Sequence, residues 1–169
     1  MVPQYLPELL RHMEWADALT WRSVHALAAA RSDAELHQRL HHIHLVQQAF
    51  LRIWRGQTVT PSDADDFADL DALRTWALPY YGELAEYLRT VDQASLDRPV
   101  VLPWSEELNQ RFGEVHPTTL RQTLLQVASH TTHHRGQVCA RLRALGGEPP
   151  LVDYIAWLWQ GQPRPDWSE

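Results

Sequence analysis

The apolar residues of this chain recur with helical spacing, and this periodicity constrains the fold more than any other feature. Near the N-terminus, for example, Leu9, Met13 and Ala16 follow one another at intervals of about one turn. The same period returns in three further segments, each bounded by residues that start or stop helices. The sequence therefore predicts four long helices, over residues 4–29, 33–55, 66–91 and 118–145.

Local signals indicate where these helices begin and break. The stretch Ser32–Glu35 resembles a capping box at the start of the second helix, and Thr119 with Gln122 gives the same pattern in the fourth. Pro79 lies inside the third helix. It predicts a kink or a break there, because proline cannot donate the helical hydrogen bond.

The segment between the third and fourth helices contains a short run of apolar β-branched residues. This run, 98–104, is typical of one arm of a small hairpin, with 111–115 as the other arm. A short fifth helix is expected over 152–159. Together the elements predict an all-α protein, a four-helix bundle with a long crossover between helices 3 and 4, built as a single domain over residues 1–169.

Composition excludes several classes of protein. No apolar run approaches the length needed to cross a bilayer. The 15 basic residues are scattered and the formal net charge is −6, so the basic stripe of a nucleic-acid-binding protein is absent from the sequence. The single cysteine, Cys139, cannot form an intramolecular disulfide, and we expect it to be a packing residue. A lone thiol and a proline-interrupted N-terminus favour the cytoplasm.

Histidines are concentrated in two of the predicted helices. In the fourth helix His130 and His134 are four residues apart, so they lie on one face at the edge of the apolar stripe, whereas His133 turns away. This spacing lets two imidazoles reach one metal ion from a rigid scaffold. Solvated histidines at the edge of a core show the same spacing, so the pair alone does not decide between the two roles.

The second helix offers two competing ligands. His42 lies on the side of Val46, His44 lies at the other edge of the apolar stripe, and His41 lies on the opposite, polar side. Periodicity excludes His41 as an inward ligand and leaves His42 and His44 open, with a buried, hydrogen-bonded histidine as the alternative role of either. Three imidazoles would suit zinc, nickel, copper or iron and would leave a coordination position open for water or substrate.

Several motifs resemble those of the DinB/YfiT-like metalloprotein family. Trp15–Asp17 resembles its Trp-Ala-Asn element, and His42 is followed eight residues later by Phe50, where tryptophan is common. The strongest similarity is at 130–138, which resembles the family signature His-x-x-x-His-Arg-Gly-Gln. The resemblance covers nearly the whole chain. Gln47 departs from it, because an acidic residue is frequent at that position.

The resemblance implies a four-helix bundle, usually a homodimer, with one divalent transition metal held by three histidines. Residue by residue, the implied ligands are His42, His130 and His134, with zinc or nickel as the expected metal. Characterised relatives include S-transferases that use bacillithiol and a mycothiol-dependent maleylpyruvate isomerase. We therefore expect a metal-dependent S-transferase acting on a small-molecule substrate with a low-molecular-weight thiol. Arg135 is a candidate for binding an acidic part of that thiol, with an interhelical contact as its alternative role.

Two other functions fit the same residues. The first is a metal-dependent hydrolase, in which His44 or His133 would serve as the base that activates water. The second is a non-catalytic metal-binding protein of the stress response. Dependence on a thiol separates the transferase from the hydrolase, and binding of metal without any turnover would indicate the third function.

Overall fold

A computed structural model describes residues 5–168 as a set of helices with one very small sheet. The elements, in chain order, are α1 (Tyr5–Ala26), α2 (Ala28–Arg31), α3 (Ala34–Trp54), a 3-10 turn (Ala64–Asp66), α4 (Leu70–Ala77), α5 (Pro79–Thr90), α6 (Gln93–Leu96), β1 (Pro99–Val100), α7 (Ser105–Phe112), β2 (Thr118–Thr119), α8 (Leu120–Ala144) and α9 (Tyr154–Trp159). The predicted all-α fold class is confirmed.

Helix α8 is the centre of the packing. It packs most extensively against α3 and less extensively against α1, while α4 and α5 pack against α3. The main core consists of apolar side chains that these helices bury against one another, including Leu10, Met13, Phe50, Trp54, Tyr80, Leu84, Leu124 and Val127. No helix within residues 5–168 is long and apolar enough to span a membrane.

Two of the predicted long helices are divided in the structure. The first ends at Ala26, because Leu27 has an extended backbone (φ −99°, ψ 110°) before the short α2. The third is divided at Pro79, which is the first residue of α5, and the predicted break is confirmed. The first part, α4, begins later than predicted, at Leu70. The Asp69 side chain caps it by accepting a hydrogen bond from the Ala72 amide (2.8 Å).

One of the two predicted capping boxes is confirmed and the other is wrong. At the start of α8, Gln122 N donates to Thr119 Oγ1 (3.3 Å) and Thr119 N donates to Gln122 Oε1 (2.8 Å). At the start of α3 the cap is Asp33, which accepts from Leu36 N (2.9 Å). Ser32 lies one residue too early to reach the first free amides of that helix.

The predicted hairpin has one correct arm. Strand β1 lies within the predicted first arm, and it pairs antiparallel with β2, Pro99 opposite Thr119 and Val100 opposite Thr118. The predicted second arm, 111–115, is wrong. Most of that stretch belongs to the end of α7 and to Gly113, whose φ of +82° terminates the helix. The predicted fifth helix is confirmed as α9.

A buried carboxylate joins four helices. Asp17 of α1 accepts hydrogen bonds from Arg135 Nη1 of α8 (2.7 Å), from the Tyr81 hydroxyl of α5 (2.7 Å) and from Gln47 Nε2 of α3 (3.0 Å). Asp17 and Arg135 are both almost completely buried. Their ion pair therefore depends on these extra hydrogen bonds, because desolvation of two charges offsets much of their attraction.

The hydrogen-bonded chain continues through Gln47 to α1. Trp21 Nε1 donates to His44 Nε2 (2.9 Å), and an indole can only donate, so the proton of His44 is on Nδ1. That Nδ1 lies 2.8 Å from Gln47 Oε1 and donates to it. The amide of Gln47 in turn donates to Thr131 as well as to Asp17. The tautomer of His44 and the orientation of Gln47 are thus both fixed by their partners.

Substitution of Asp17 tests the importance of this network. Asp17→Ala leaves the guanidinium of Arg135 buried without a counter-charge, and we expect it to lower the free energy of unfolding by ~3–5 kcal/mol. Urea denaturation followed by circular dichroism measures the loss. The control is Asp97→Ala, which removes an exposed ion pair with Arg121 (2.6 Å) and should cost at most ~1 kcal/mol. Equal losses in the two variants would contradict the role assigned to Asp17.

His12 attaches the segment before α9 to α1. Its Nε2 donates to the Val152 carbonyl (2.9 Å), and its ring lies among the rings of Trp15, Tyr154 and Trp157. Burial lowers the pKa of His12, and the charge of Arg135 lowers it further. The folded protein therefore favours the neutral imidazole, whereas the unfolded chain titrates near the ordinary value of about 6.5.

Acid should accordingly weaken the fold through His12. The unfolded chain binds the proton more tightly, so the stability is complete above pH ~6.5 and falls as the pH falls toward the folded-state pKa, by ~1.4 kcal/mol per unit of pKa depression. We expect His12→Gln, which keeps a donor for Val152 but does not titrate, to lose less stability than the wild type between pH 7.5 and 5, measured by urea denaturation. Parallel losses in both proteins would show that His12 does not contribute.

Candidate metal centre

Three histidines project from the two helices that pack together most extensively. His42 lies near the middle of α3, and His130 and His134 lie one turn apart near the middle of α8. The interior of a long helix holds its side chains on a well-ordered backbone, and the spacing of four residues places both α8 imidazoles on the same side. The pairing of α3 with α8 brings His42 opposite them.

The three imidazoles converge on one point. The Nε2 atoms of His42 and His130 are 3.3 Å apart. The ring centroid of His134 lies 4.4 Å from that of His42 and 4.3 Å from that of His130. One candidate ligand nitrogen from each residue lies within 4.8 Å of the other two. Such a cluster could hold a single metal ion.

The separation of one pair of nitrogens is compatible with a shared metal ion. Nitrogen ligands of zinc bind at about 2.0–2.1 Å, so two of them in a tetrahedral arrangement are about 3.4 Å apart. The observed 3.3 Å between the Nε2 atoms of His42 and His130 matches this value closely. The donor set consists of imidazoles, which suit late first-row metals better than the oxygen-preferring magnesium and calcium.

The protonation of the cluster also suits a metal. Burial lowers the pKa of His130 to about 4, helped by the proximity of His134, His42 and His133. Burial likewise lowers the pKa of His42, with His134 and His41 adding to the effect. Both imidazoles are therefore neutral at physiological pH, which is the form that donates a lone pair to a metal. His42 remains exposed, so the cluster is open to solvent on one side.

The structure separates the other histidines of the second helix from this cluster. His44 is fully buried, and both of its nitrogens are engaged, by Trp21 and by Gln47. His41 was predicted on a polar face, and this is wrong. The loop after α3 folds back over it, so that His41 Nε2 lies 2.9 Å from Ser62 Oγ and its ring stacks on Trp76. Periodicity within one helix cannot reveal a cover supplied by a distant loop.

Arg135, which follows His134, is enclosed in the core. Its guanidinium is 2% exposed, forms the ion pair with Asp17 and also contacts the Thr132 hydroxyl (3.3 Å). The contact seen is the interhelical one that the sequence analysis named as the alternative role. Cys139 is partly buried and its pKa is raised chiefly by that burial, as expected for a packing residue.

Sequence reasoning missed Gln137, which contacts one of the three histidines. Its Oε1 lies 2.9 Å from Nδ1 of His134, three residues earlier on α8. The sequence could have predicted this contact, because residues three apart on a helix are neighbours and the amide of glutamine forms hydrogen bonds.

A separate cleft of about 760 Å³ lies between α1 and α4, and none of the three histidines lines it.

Comparison with known proteins identifies the family of this chain. No curated protein matches the chain. The sequence profile of the DinB family matches residues 1–165, which leaves only the last four residues outside the match. Together with the all-α fold and the histidine cluster, a match over nearly the entire sequence shows that this chain belongs to the DinB family.

Proposed function

We propose that this DinB-family protein binds one divalent transition metal through His42, His130 and His134 and joins a small cellular thiol to an electrophile. The thiol would lose its proton to solvent, its sulfur would form a bond to the electrophilic atom, and the group displaced from that atom would leave with the bonding electrons. The observation that carries the proposal is the convergence of three imidazoles on one point that remains open to solvent. A closed structural site would need a fourth protein ligand, whereas a set of three leaves room for a substrate.

Zinc or nickel is the proposed metal. Among residues 5–168, the group of side chains able to hold an ion contains only histidines, with no carboxylate. Nitrogen ligands without oxygen favour these metals over magnesium, calcium or manganese. The lowered pKa values of His42 and His130 support binding at neutral pH, because few protons need to be displaced from those two imidazoles.

The chemistry proposed for the open position is activation of a thiol. A bound divalent metal favours the thiolate form of a thiol whose ordinary pKa is about 8.5. In this chain His42, His130 and His134 would hold the ion. The exposure of His42 leaves a path for a thiol and an acceptor from the solvent. The chain then needs no additional base to deprotonate the nucleophile.

The hydrolytic alternative has less support from the geometry. Activation of water benefits from a base within hydrogen-bonding distance of it. His44, one of the two candidates, is enclosed in the core network with both nitrogens engaged. His133 is exposed, and its Nε2 lies 3.1 Å from the amide nitrogen of Gln137. A non-catalytic role in the stress response would require the same metal ligands but no turnover.

We further propose a low-molecular-weight thiol such as bacillithiol, a cytoplasmic setting and a homodimeric assembly. The exposed apolar side chains around α9, among them Ile155 and Trp159 (80% exposed), support an interface that a second copy covers. The single cysteine, Cys139, cannot form an intramolecular disulfide, which suits a reducing compartment.

Removal of single ligands tests the metal site. We expect His42→Ala, His130→Ala and His134→Ala each to lose most of the bound metal, because two imidazoles hold an ion much less tightly than three. Metal content by mass spectrometry and competition with a chromophoric chelator measure the loss. His133→Ala, on the exposed side of the same helix, is the matched control and should retain metal. Loss of metal in His44→Ala but not in His42→Ala would overturn the assignment.

Cobalt substitution tests the thiol chemistry. Bacillithiol added to the cobalt-loaded protein should produce sulfur-to-cobalt charge-transfer bands in the near ultraviolet, and saturation should become easier as the pH rises toward the pKa of the thiol. The bands should be absent from His130→Ala. Cys139→Ser, which removes the protein's own thiol, should give the same bands as the wild type. If cellular thiols leave the spectrum unchanged while small oxyanions alter it, hydrolysis becomes the better account.

A further inference from the structure

We infer that Gln137 and Arg39 are positioning residues of the metal centre. They hold His134 with its proton on Nδ1, so that the lone pair of Nε2 is directed at the ion. This inference rests on the proposed metal binding for its purpose, but its structural content can be tested in the metal-free protein. It extends the site from the three ligands to a hydrogen-bonded chain that begins on the facing helix.

The guanidinium of Arg39 can donate hydrogen bonds but cannot accept them. Arg39 Nη1 lies 2.9 Å from Oε1 of Gln137. This contact identifies the oxygen of the Gln137 amide, whose two ends are otherwise difficult to distinguish. The same oxygen lies 2.9 Å from Nδ1 of His134. Because an amide oxygen only accepts, the proton of the neutral imidazole must be on Nδ1.

The remaining contacts agree with this assignment. The Gln137 amide nitrogen lies 3.1 Å from His133 Nε2 and donates to it. Arg39 is itself held by Glu35 of the same helix, whose Oε1 accepts from Arg39 Nε (2.9 Å). Each donor in the chain from Glu35 to His134 therefore meets an acceptor. A carboxylate at one end and an imidazole at the other are joined across α3 and α8.

The consequence concerns metal affinity. An imidazole without such a partner distributes its proton over both nitrogens and can rotate, so part of its population presents a proton to the ion instead of a lone pair. Hydrogen-bond partners of metal-ligating histidines remove that loss, and their substitution costs ~10–100-fold in affinity. Gln137 supplies the acceptor and Arg39 fixes its direction. A neutral amide can therefore accept the hydrogen bond from a metal-ligating histidine, a role that carboxylates commonly have.

The test compares three variants of the full chain by chelator competition with Zn²⁺. Gln137→Met removes the acceptor and should weaken zinc binding ~10–100-fold. Gln137→Glu keeps an acceptor for both Arg39 and His134 and should restore affinity to within a few-fold of the wild type. Gln126→Met, an exposed glutamine on the same helix, is the control and should bind like the wild type. Wild-type affinity in Gln137→Met would overturn the inference.

A second measurement does not depend on metal. Long-range proton–nitrogen NMR of metal-free, ¹⁵N-histidine-labelled protein, at a pH where the imidazoles are neutral, reports the tautomer of each ring. We expect His134 to carry its proton on Nδ1 in the wild type and in Gln137→Glu, and to show a mixture in Gln137→Met. A wild-type His134 protonated on Nε2 would overturn the inference. If the wild type binds no zinc, the proposed function fails, and the tautomer still decides the role of Gln137.

Discussion

The buried carboxylate of Asp17 is the interaction on which the rest of this structure depends. It lies in the core and accepts hydrogen bonds from Arg135, Tyr81 and Gln47, each from a different helix. Removing any partner from a buried ion pair leaves a charge whose desolvation is uncompensated. The observed register of α1, α3, α5 and α8 satisfies all of these groups together. Apolar packing supplies the driving force for assembly, and the carboxylate selects among the arrangements that packing would allow.

The same register brings the candidate metal centre together. On α8, each histidine of the cluster immediately precedes a residue of the network, His130 before Thr131 and His134 before Arg135. Adjacent residues of a helix differ by about 100° in direction, so Thr131 and Arg135 face the core while the histidines lie at its rim. On α3, His42 lies two residues before His44, which belongs to the same network. Fixing α3 against α8 inside the core therefore also brings the three imidazoles together at the edge, where His42 remains exposed to solvent.

Much of this could be predicted from the sequence, because helical periodicity, caps and the effect of Pro79 are local properties of the chain. Periodicity could not decide between His42 and His44, since both flank the apolar stripe of α3. The resemblance to a family favoured His42, and in the structure both nitrogens of His44 are engaged, by Trp21 of α1 and by Gln47 of α3 itself. The burial of His41 and the ion pair of Arg135 could not be predicted from the sequence either. Both depend on side chains distant in sequence, which no pattern within one helix records.

X-ray absorption spectroscopy of the zinc-loaded protein tests the central claim, that three imidazoles of one chain bind a single metal, most directly. The account predicts about three nitrogen scatterers at about 2.0–2.1 Å, with the outer-shell scattering of imidazole rings, one zinc per chain and a further light ligand in the open position. No sulfur should appear before a thiol is added. A shell of oxygen atoms without imidazole scattering, or a sulfur at about 2.3 Å contributed by Cys139, would contradict it.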